Sequence, residues 1–311
     1  MSAEVQGARA RIEGPRTVIE RGSADYPASL ERVAHPPDRL YVVGDPAALA
    51  EGVAIVGARK ATPYGVGCAR RFARIAAERG VSVVSGGARG CDAAAHCAAL
   101  EAGGITAAFL GGGCDRPYPA EHAGLFQRIV DAGGAVVSEH AWGEPPLPYR
   151  FRARNRLIAG LARATLIVEA GLPSGTFSTA DEALAAGREV LVVPGAITAP
   201  SSRGANRLLR QGATPIVDDD SFEDALFSLF GCLKSPSAPD ERDEAWADDP
   251  VVAALRAEPL GMERLYEIAA ASCGGADARS WLMERLVEAE RAGLVARQPD
   301  GRWGPALGGR R

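Results

Sequence analysis

The chain has 311 residues, of which 47 % are hydrophobic and 24 % are charged, and these proportions are ordinary for a globular protein. No apolar run approaches the roughly 20 residues that a membrane-spanning helix needs, and residues 1–12 are too polar for a secretory signal, so we expect a cytoplasmic protein without membrane contact. The net charge of −4 is unevenly distributed: residues 53–217 carry +6 and residues 218–250 carry −9, so the central region suits an anionic partner.

Residues 1–52 predict an extended lead-in segment with one small strand. From residue 53 onward, short runs rich in Val, Ile and Leu alternate with amphipathic stretches such as 66–79 and 92–102. The predicted strands are 53–57, 81–85, 105–110, 135–138, 165–169 and 189–193. Apolar strands separated by helices are typical of a parallel sheet that is covered on both faces. Residues 53–231 are therefore predicted to form an α/β domain with a doubly wound parallel sheet.

Proline, serine and acidic residues between 232 and 250 have the composition of a linker. Beyond it, residues 251–311 predict a small separate domain, with helices near 250–257, 262–271 and 278–293 followed by a two-stranded hairpin. That order is typical of a winged helix. Its third helix balances three arginines with three glutamates, whereas a helix that reads a DNA groove is usually more basic. A contact within the chain or with a protein is favoured, and DNA reading remains the alternative.

Glycine-containing loops follow four of the predicted strands. Two of these loops hold Gly57, Arg59, Ser85, Gly86, Arg89 and Gly90, and the others span 111–113 and 169–176. Ligands of such folds bind beyond the carboxyl ends of the strands. Glycine lets the backbone approach an anion, and successive N–H groups can then form a concave anion site. The loops therefore predict phosphate binding, with Ser174, Gly175 and Thr176 adding hydroxyl and backbone donors.

Four arginines alternate with other residues just before an apolar segment that predicts a helix. They are Arg150, Arg152, Arg154 and Arg156. A helix start offers unpaired N–H groups and the positive end of the helix dipole, and guanidinium groups placed there suit regularly spaced phosphates. Together with Arg59 and Arg89, this run predicts a long phosphate-binding rim. A solvated basic face is the alternative reading of the run alone.

No cofactor, metal or catalytic residue is predicted. The dinucleotide pattern Gly-x-Gly-x-x-Gly and the P-loop pattern are both absent after the first strand. The six cysteines lack the spacing of zinc ligands, so we expect them to be reduced. Asp92 and His96 lie one helical turn apart, but a satisfied helix-start aspartate and a buried histidine explain them better than a metal site does.

The ordered motifs of residues 25–231 closely resemble the DNA-processing protein A family (DprA, also called Smf). The segments that carry the resemblance are VAIVGARKATPYG (53–65), SGGARGCDAAAH (85–96), RNRLIAGL (154–161), VEAGLPSGT (168–176), VPG (193–195) and SRGANRLL (202–209). The resemblance implies a Rossmann-like core that binds single-stranded DNA, forms a homodimer and hands the strand to the RecA recombinase during natural transformation. The residues that match the family's binding motifs are Arg59, Ser85, Gly86, Arg89, Gly90, Arg154, Asn155, Arg156, Ser174 and Gly175.

The chain departs from the family pattern at two of these motifs. Ala58 stands where the family usually has Ser or Thr. The basic residue that usually precedes Arg-Asn-Arg is shifted by one place to Arg152, which leaves open whether Arg152 contacts the same phosphate. Phe151, Tyr149 and Tyr64 are candidates for base stacking, and core packing explains each of them equally well.

Two other functions use the same glycine loops. Phosphoribohydrolases of a related Rossmann-like type carry a catalytic glutamate after a Pro-Gly-Gly-x-Gly-Thr motif, but Thr179 occupies that position here. A nucleotide-binding sensor that signals through the C-terminal domain is the second alternative. Single-stranded DNA binding without catalysis is the prediction that the motifs favour.

Overall fold

The computed structural model describes residues 11–172, 175–232, 246, 248–275, 277–298 and 301–305. The chain divides into two compact units, Met1–Lys234 and Ser235–Arg311. Within the described residues, no helix is both long and apolar enough to cross a bilayer.

The first unit is built on one nine-stranded sheet with the order β1-β2-β6-β5-β4-β3-β7-β8-β9. Strands β3 to β9 run parallel, whereas β2 is antiparallel to both β1 and β6. The strands are β1 (Arg16–Glu20), β2 (Arg39–Gly44), β3 (Gly52–Val56), β4 (Val83–Ser85), β5 (Thr106–Phe109), β6 (Ala135–Ser138), β7 (Ala162–Ile167), β8 (Glu189–Val192) and β9 (Thr214–Pro215).

Seven helices cover the two faces of this sheet. They are α1 (Pro63–Glu78), α2 (Cys91–Glu101), α3 (Ala123–Asp131), α4 (Pro148–Leu161), α5 (Thr176–Ala185), α6 (Arg203–Arg210) and α7 (Asp219–Phe230). Side chains alternate across β3: Ala54 and Val56 join the core with α4, α5 and α6, while Val53 and Ile55 join the core with α1, α2 and α7. The predicted doubly wound sheet is confirmed.

The lead-in segment contributes two strands rather than the single predicted one. The side chains of Leu40 and Val42 are fully buried, and β2 extends the sheet beyond β6. Strand β1 is harder to find in the sequence because only Ile19 of its five residues is buried. A strand at the edge of a sheet needs little apolar pattern, since one side and part of one face meet water.

The chain reverses its direction of strand addition at β3. Strands β4, β5 and β6 follow on one side of β3, and β7 crosses over to its other side. The carboxyl ends of β3 and β7 therefore open at the point where this fold class binds its ligands.

In the described part of the second unit, three helices, α8 (Pro250–Ala257), α9 (Met262–Ser272) and α10 (Ala278–Arg291), are followed by a hairpin of β10 (Val295–Arg297) and β11 (Trp303–Pro305). Leu255, Leu265, Leu282 and Leu286 form its buried core together with neighbouring apolar residues. The order of elements is compatible with the predicted winged helix.

Candidate nucleic-acid interface

Cations and aromatic rings meet beyond the carboxyl ends of β3, β4 and β5. The Arg59 guanidinium carbon lies 5.5 Å from the centre of the Phe151 ring, and the Tyr118 ring lies 5.2 Å from the same ring. Phe151 fits there because Gly111 has no side chain: a Cβ on Gly111 would lie 2.9 Å from Phe151 Cδ1. Tyr118 remains 47 % exposed, so its ring is accessible to a ligand.

Arg89 interacts electrostatically with Tyr118, and Arg152 follows Phe151 in the chain. We call this set of residues the cationic–aromatic surface (Arg59, Arg89, Tyr118, Phe151 and Arg152). Arg89 is 65 % exposed and pairs with Glu121, which is itself half exposed. Such an exposed pair contributes little to the stability of a fold, because water and salt screen it, so a phosphate can compete for the arginine. Arg152 is exposed and has no ion-pair partner among the described residues.

Arg154 lies beneath this surface and not on it. Its side chain is 4 % exposed and donates a hydrogen bond to the backbone carbonyl of Phe109. Gly86 makes room for the guanidinium, because a Cβ on Gly86 would lie 2.2 Å from Arg154 Nη1. Burial lowers the pKa of Arg154 to about 10, an effect that the nearby Asp92 opposes and Arg59 reinforces. Arg154 therefore stays charged at neutral pH, and its guanidinium binds groups inside the fold, the Phe109 carbonyl among them.

Two N–H groups of the second glycine loop are already occupied by a carboxylate. Asp92 is 6 % exposed, and its Oδ2 accepts hydrogen bonds from Gly86 N at 3.2 Å and Ala88 N at 3.3 Å. Burial raises the pKa of Asp92, while Arg154 and these backbone donors oppose the rise. The loop therefore cradles a carboxylate of the chain itself, where the sequence led us to expect a phosphate.

The remaining residues of the first two loops serve packing. Gly90 has a φ of +77°, and a Cβ on it would lie 2.3 Å from the carbonyl oxygen of Ala58, so only glycine lets the two loops meet. A Cβ on Gly57 would lie 2.6 Å from Cys91 Sγ. Ser85 is fully buried and donates to the backbone carbonyl of Ile55 at 2.7 Å, which joins β4 to β3.

The arginine run lies inside α4 and not ahead of it, because the helix already begins at Pro148. A spacing of two residues turns the direction of a side chain by about 200° on a helix, so alternate arginines face opposite ways. Arg150 pairs with Glu144 and Arg156 pairs with Glu139. Of the four, only Arg152 is left open to solvent as the predicted rim requires.

Asn155 and the start of α5 are the remaining predicted site residues. Asn155 Nδ2 donates to Ser178 Oγ at 2.7 Å and so joins α4 to α5. Gly175 is exposed at the start of α5, and Thr176 is 8 % exposed. Ser174 lies outside the described residues.

Metal chemistry finds no support in the part of the chain that the structure describes, where no group of three His, Cys, Asp or Glu side chains could hold an ion. His96 is fully buried, with Nδ1 2.7 Å from Thr106 Oγ1. It therefore faces Thr106 and shares no ligand with Asp92. None of the six cysteines, all of which lie in the described residues, forms a disulfide bond.

Two residues of this edge escaped the sequence analysis. Tyr118 is a lone tyrosine after a glycine loop, and such a residue forms no sequence motif that would predict binding. Glu169 follows β7 inside a matched motif, but it is 2 % exposed and its Oε2 accepts hydrogen bonds from Thr62 N at 2.9 Å and Thr62 Oγ1 at 3.2 Å. Thr62 and Glu169 are 107 residues apart in the chain, and the pairing of β3 with β7 brings them into contact.

The chain is similar to proteins of one family. The family model described as DNA recombination-mediator protein A matches residues 17–226. Protein Smf of Escherichia coli (strain K12) is 36 % identical over 290 residues, which cover 91 % of this chain and 76 % of that protein.

Two solved structures share the fold of the first unit. DNA processing protein A (DprA) from Streptococcus pneumoniae has a TM-score of 0.62 and 34 % identity, over 67 % of this chain and 74 % of that one. DNA processing protein A from Helicobacter pylori, whose structure concerns its unique single-stranded DNA binding mode, has a TM-score of 0.63 and 31 % identity, over 70 % of this chain and 98 % of that one.

Proposed function

The chain belongs to the DNA recombination-mediator protein A family, also named DprA or Smf, and from that premise we propose that it binds single-stranded DNA on the cationic–aromatic surface. In the cell it protects an incoming strand and loads the RecA recombinase onto it during natural transformation. The observation that carries the proposal is the convergence of Arg59, Tyr118 and Phe151 at one edge of the sheet.

The surface suits an unpaired strand for a physical reason. The exposed Tyr118 ring can stack only on a base whose face is free, and a base in a duplex already stacks on its neighbours. Arg59, Arg89 and Arg152 supply positive charge for the phosphates on either side of such a base. Because few aromatic rings take part, backbone charge dominates the affinity and the sequence preference is low.

No catalytic step is part of the proposal. The position that holds a catalytic glutamate in the phosphoribohydrolases is Thr179 here, which is 3 % exposed and cannot transfer a proton as a carboxylate does. Incubation with nucleoside monophosphates tests this: release of free base would contradict a purely binding role.

The family resemblance also leads us to propose a cytoplasmic homodimer. The described surface of the first unit exposes several large apolar side chains, among them Ile197, Leu184 and Val217. Light scattering of the purified protein measures the mass, and assembly of RecA on protein-coated oligonucleotides measures the loading.

The direct test is a fluorescence titration of oligo-dT and of a duplex of equal length. We expect tighter binding of the single strand. Arg59→Ala combined with Arg89→Ala should weaken oligo-dT binding and reduce the dependence of log K on log salt by about 0.7 per lost phosphate contact. Arg70→Ala combined with Arg163→Ala is the control: Arg70 pairs with Glu101 as Arg89 pairs with Glu121, Arg163 lies over the Phe230 ring as Arg59 lies over that of Phe151, and both control arginines lie away from the carboxyl ends of the strands. Equal effects of both double variants would contradict the proposed site.

A further inference from the structure

The start of α1 holds a carboxylate of the chain where this fold class binds a phosphate. We propose that Glu169 is a specificity-determining residue: its carboxylate occupies the anion position at the start of α1, excludes the phosphate of a free nucleotide, and leaves only a polynucleotide as ligand of the neighbouring cationic–aromatic surface. The last step rests on the proposed function, whereas the exclusion of a free phosphate does not.

The contacts of Glu169 are those that a bound anion would make. Its Oε2 accepts the backbone N–H of Thr62, the residue that caps α1, and also the Thr62 hydroxyl proton. The same hydroxyl oxygen accepts Gly65 N at 3.2 Å. Free N–H groups and the positive dipole end make a helix start attractive to anions, and Glu169 satisfies that attraction from within the fold.

The backbone is shaped around this carboxylate. A Cβ on Gly65 would lie 2.0 Å from Glu169 Oε2, so the first turn of α1 lacks a side chain where the carboxylate fits. A Cβ on Gly57 would lie 3.2 Å from Glu169 N, which places the residue against the end of β3, at the reversal of strand order. Glu169 therefore fills the crevice in which an open α/β sheet takes its ligand.

Burial makes the carboxylate an effective barrier. Glu169 is 2 % exposed, its Oε1 has no hydrogen-bond partner, and within the described residues no arginine or lysine forms an ion pair with it. A second anion in the same crevice would meet a carboxylate that no arginine or lysine pairs with among the described residues, in a poorly screened environment.

Asp92 also occupies backbone donors, in the loop after β4: its Oδ2 accepts hydrogen bonds from the N–H groups of Gly86 and Ala88. Backbone N–H groups at two of the loops that follow the strands, those after β3 and β4, are thus bound to carboxylates of the chain itself. Phosphates must then be bound by exposed side chains such as Arg59 and Arg89. Each such contact is weak, so a useful affinity needs several linked phosphates, which only a polynucleotide supplies.

The test measures AMP and inorganic pyrophosphate binding by calorimetry, and oligo-dT binding on the same samples. We expect no measurable mononucleotide or pyrophosphate binding by the unaltered chain. Glu169→Ala, which removes both charge and volume, should gain at least about tenfold in affinity for pyrophosphate. Glu169→Gln keeps the volume and removes only the charge, so it should gain less. Glu78→Ala, at the exposed far end of α1, is the matched control and should gain nothing.

Micromolar AMP binding by the unaltered chain would overturn the proposal without any variant. Absence of a gain in Glu169→Ala, with an intact circular dichroism spectrum, would also overturn it, and if that variant does not fold, absence of a gain in Glu169→Gln decides in the same way. If the unaltered chain does not bind oligo-dT, the proposed function is contradicted. The exclusion of free phosphate by Glu169 is unaffected by that outcome, because the pyrophosphate measurement tests it separately.

Discussion

The guanidinium of Arg156 and the carboxylate of Glu139 form two parallel hydrogen bonds, Nη1 to Oε1 at 2.7 Å and Nη2 to Oε2 at 2.6 Å. The remaining donors of Arg156 bind the backbone carbonyls of Ala34, His35 and Ala153. All of its N–H groups are therefore engaged. Arg156 joins α4 to the segment after β6 and to the lead-in segment, and it has no donor left for a phosphate.

Arg156→Ala should consequently destabilise the fold more than it weakens DNA binding. Both side chains of the pair are less than one-fifth exposed, so loss of the arginine leaves the Glu139 carboxylate without its cation. We expect a decrease of about 2–3 kcal/mol in the free energy of unfolding, measured by urea denaturation. Oligo-dT affinity of the folded variant should stay within about twofold, since no rim contact is lost. A large loss of affinity at full stability would place Arg156 on the DNA after all.

Tyr118→Ala should weaken oligo-dT binding more than it lowers the free energy of unfolding, the opposite of Arg156→Ala. Tyr118 is half exposed, and its ring packs against that of Phe151, so its removal should change the stability little. If a base stacks on it, oligo-dT binding should weaken by about 1–3 kcal/mol. Tyr118→Phe keeps the ring and should restore the affinity. Equal losses in both variants would show that the hydroxyl matters and that stacking does not.

The sequence predicts the fold better than it predicts the site. The strand 135–138 agrees with β6 to the residue, and Gly57, Gly86 and Gly90 are indeed positions of close approach. Alternating apolar runs and glycines are local signals, so they can be read from neighbouring residues. Whether an arginine is free depends on carboxylates that the fold brings from elsewhere, as for Arg156. Asp92 and Glu169 occupy N–H groups for the same non-local reason.

His96 should make the stability of the first unit depend on acid pH. Burial lowers the pKa of His96 from about 6.5 to about 3. Below pH 6.5 the unfolded chain therefore binds a proton that the folded chain does not, so folding becomes less favourable as the pH falls toward 3. The expected slope from this group is at most about 1.4 kcal/mol per pH unit.

His96→Asn isolates that contribution. The Asn amide can replace Nδ1 as the donor to Thr106 Oγ1, because the Thr106 hydroxyl proton is used by the Val83 carbonyl. Urea unfolding is monitored by amide hydrogen exchange in peptides from β4 and β5. Between about pH 6 and pH 4.5, the variant should lose less stability than the unaltered chain does. Parallel pH profiles would mean that His96 is protonated in the fold or titrates normally.

Two of the three arginines of α10, Arg279 and Arg285, contact aromatic rings of their own unit, which bears on the DNA-reading alternative for a winged helix. The Arg285 guanidinium carbon lies 5.6 Å from the ring centres of both Trp246 and Trp281, and Arg279 lies 5.7 Å from the ring centre of Tyr266. Cations that cover aromatic rings of their own unit gain part of their stabilisation there and give it up on moving to a phosphate. Arg279→Ala combined with Arg285→Ala should therefore leave duplex and oligo-dT affinities within about twofold in a fluorescence titration, while protease digestion detects loosening of residues 251–311. A selective loss of duplex affinity, with the protease pattern unchanged, would instead identify α10 as a helix that reads DNA.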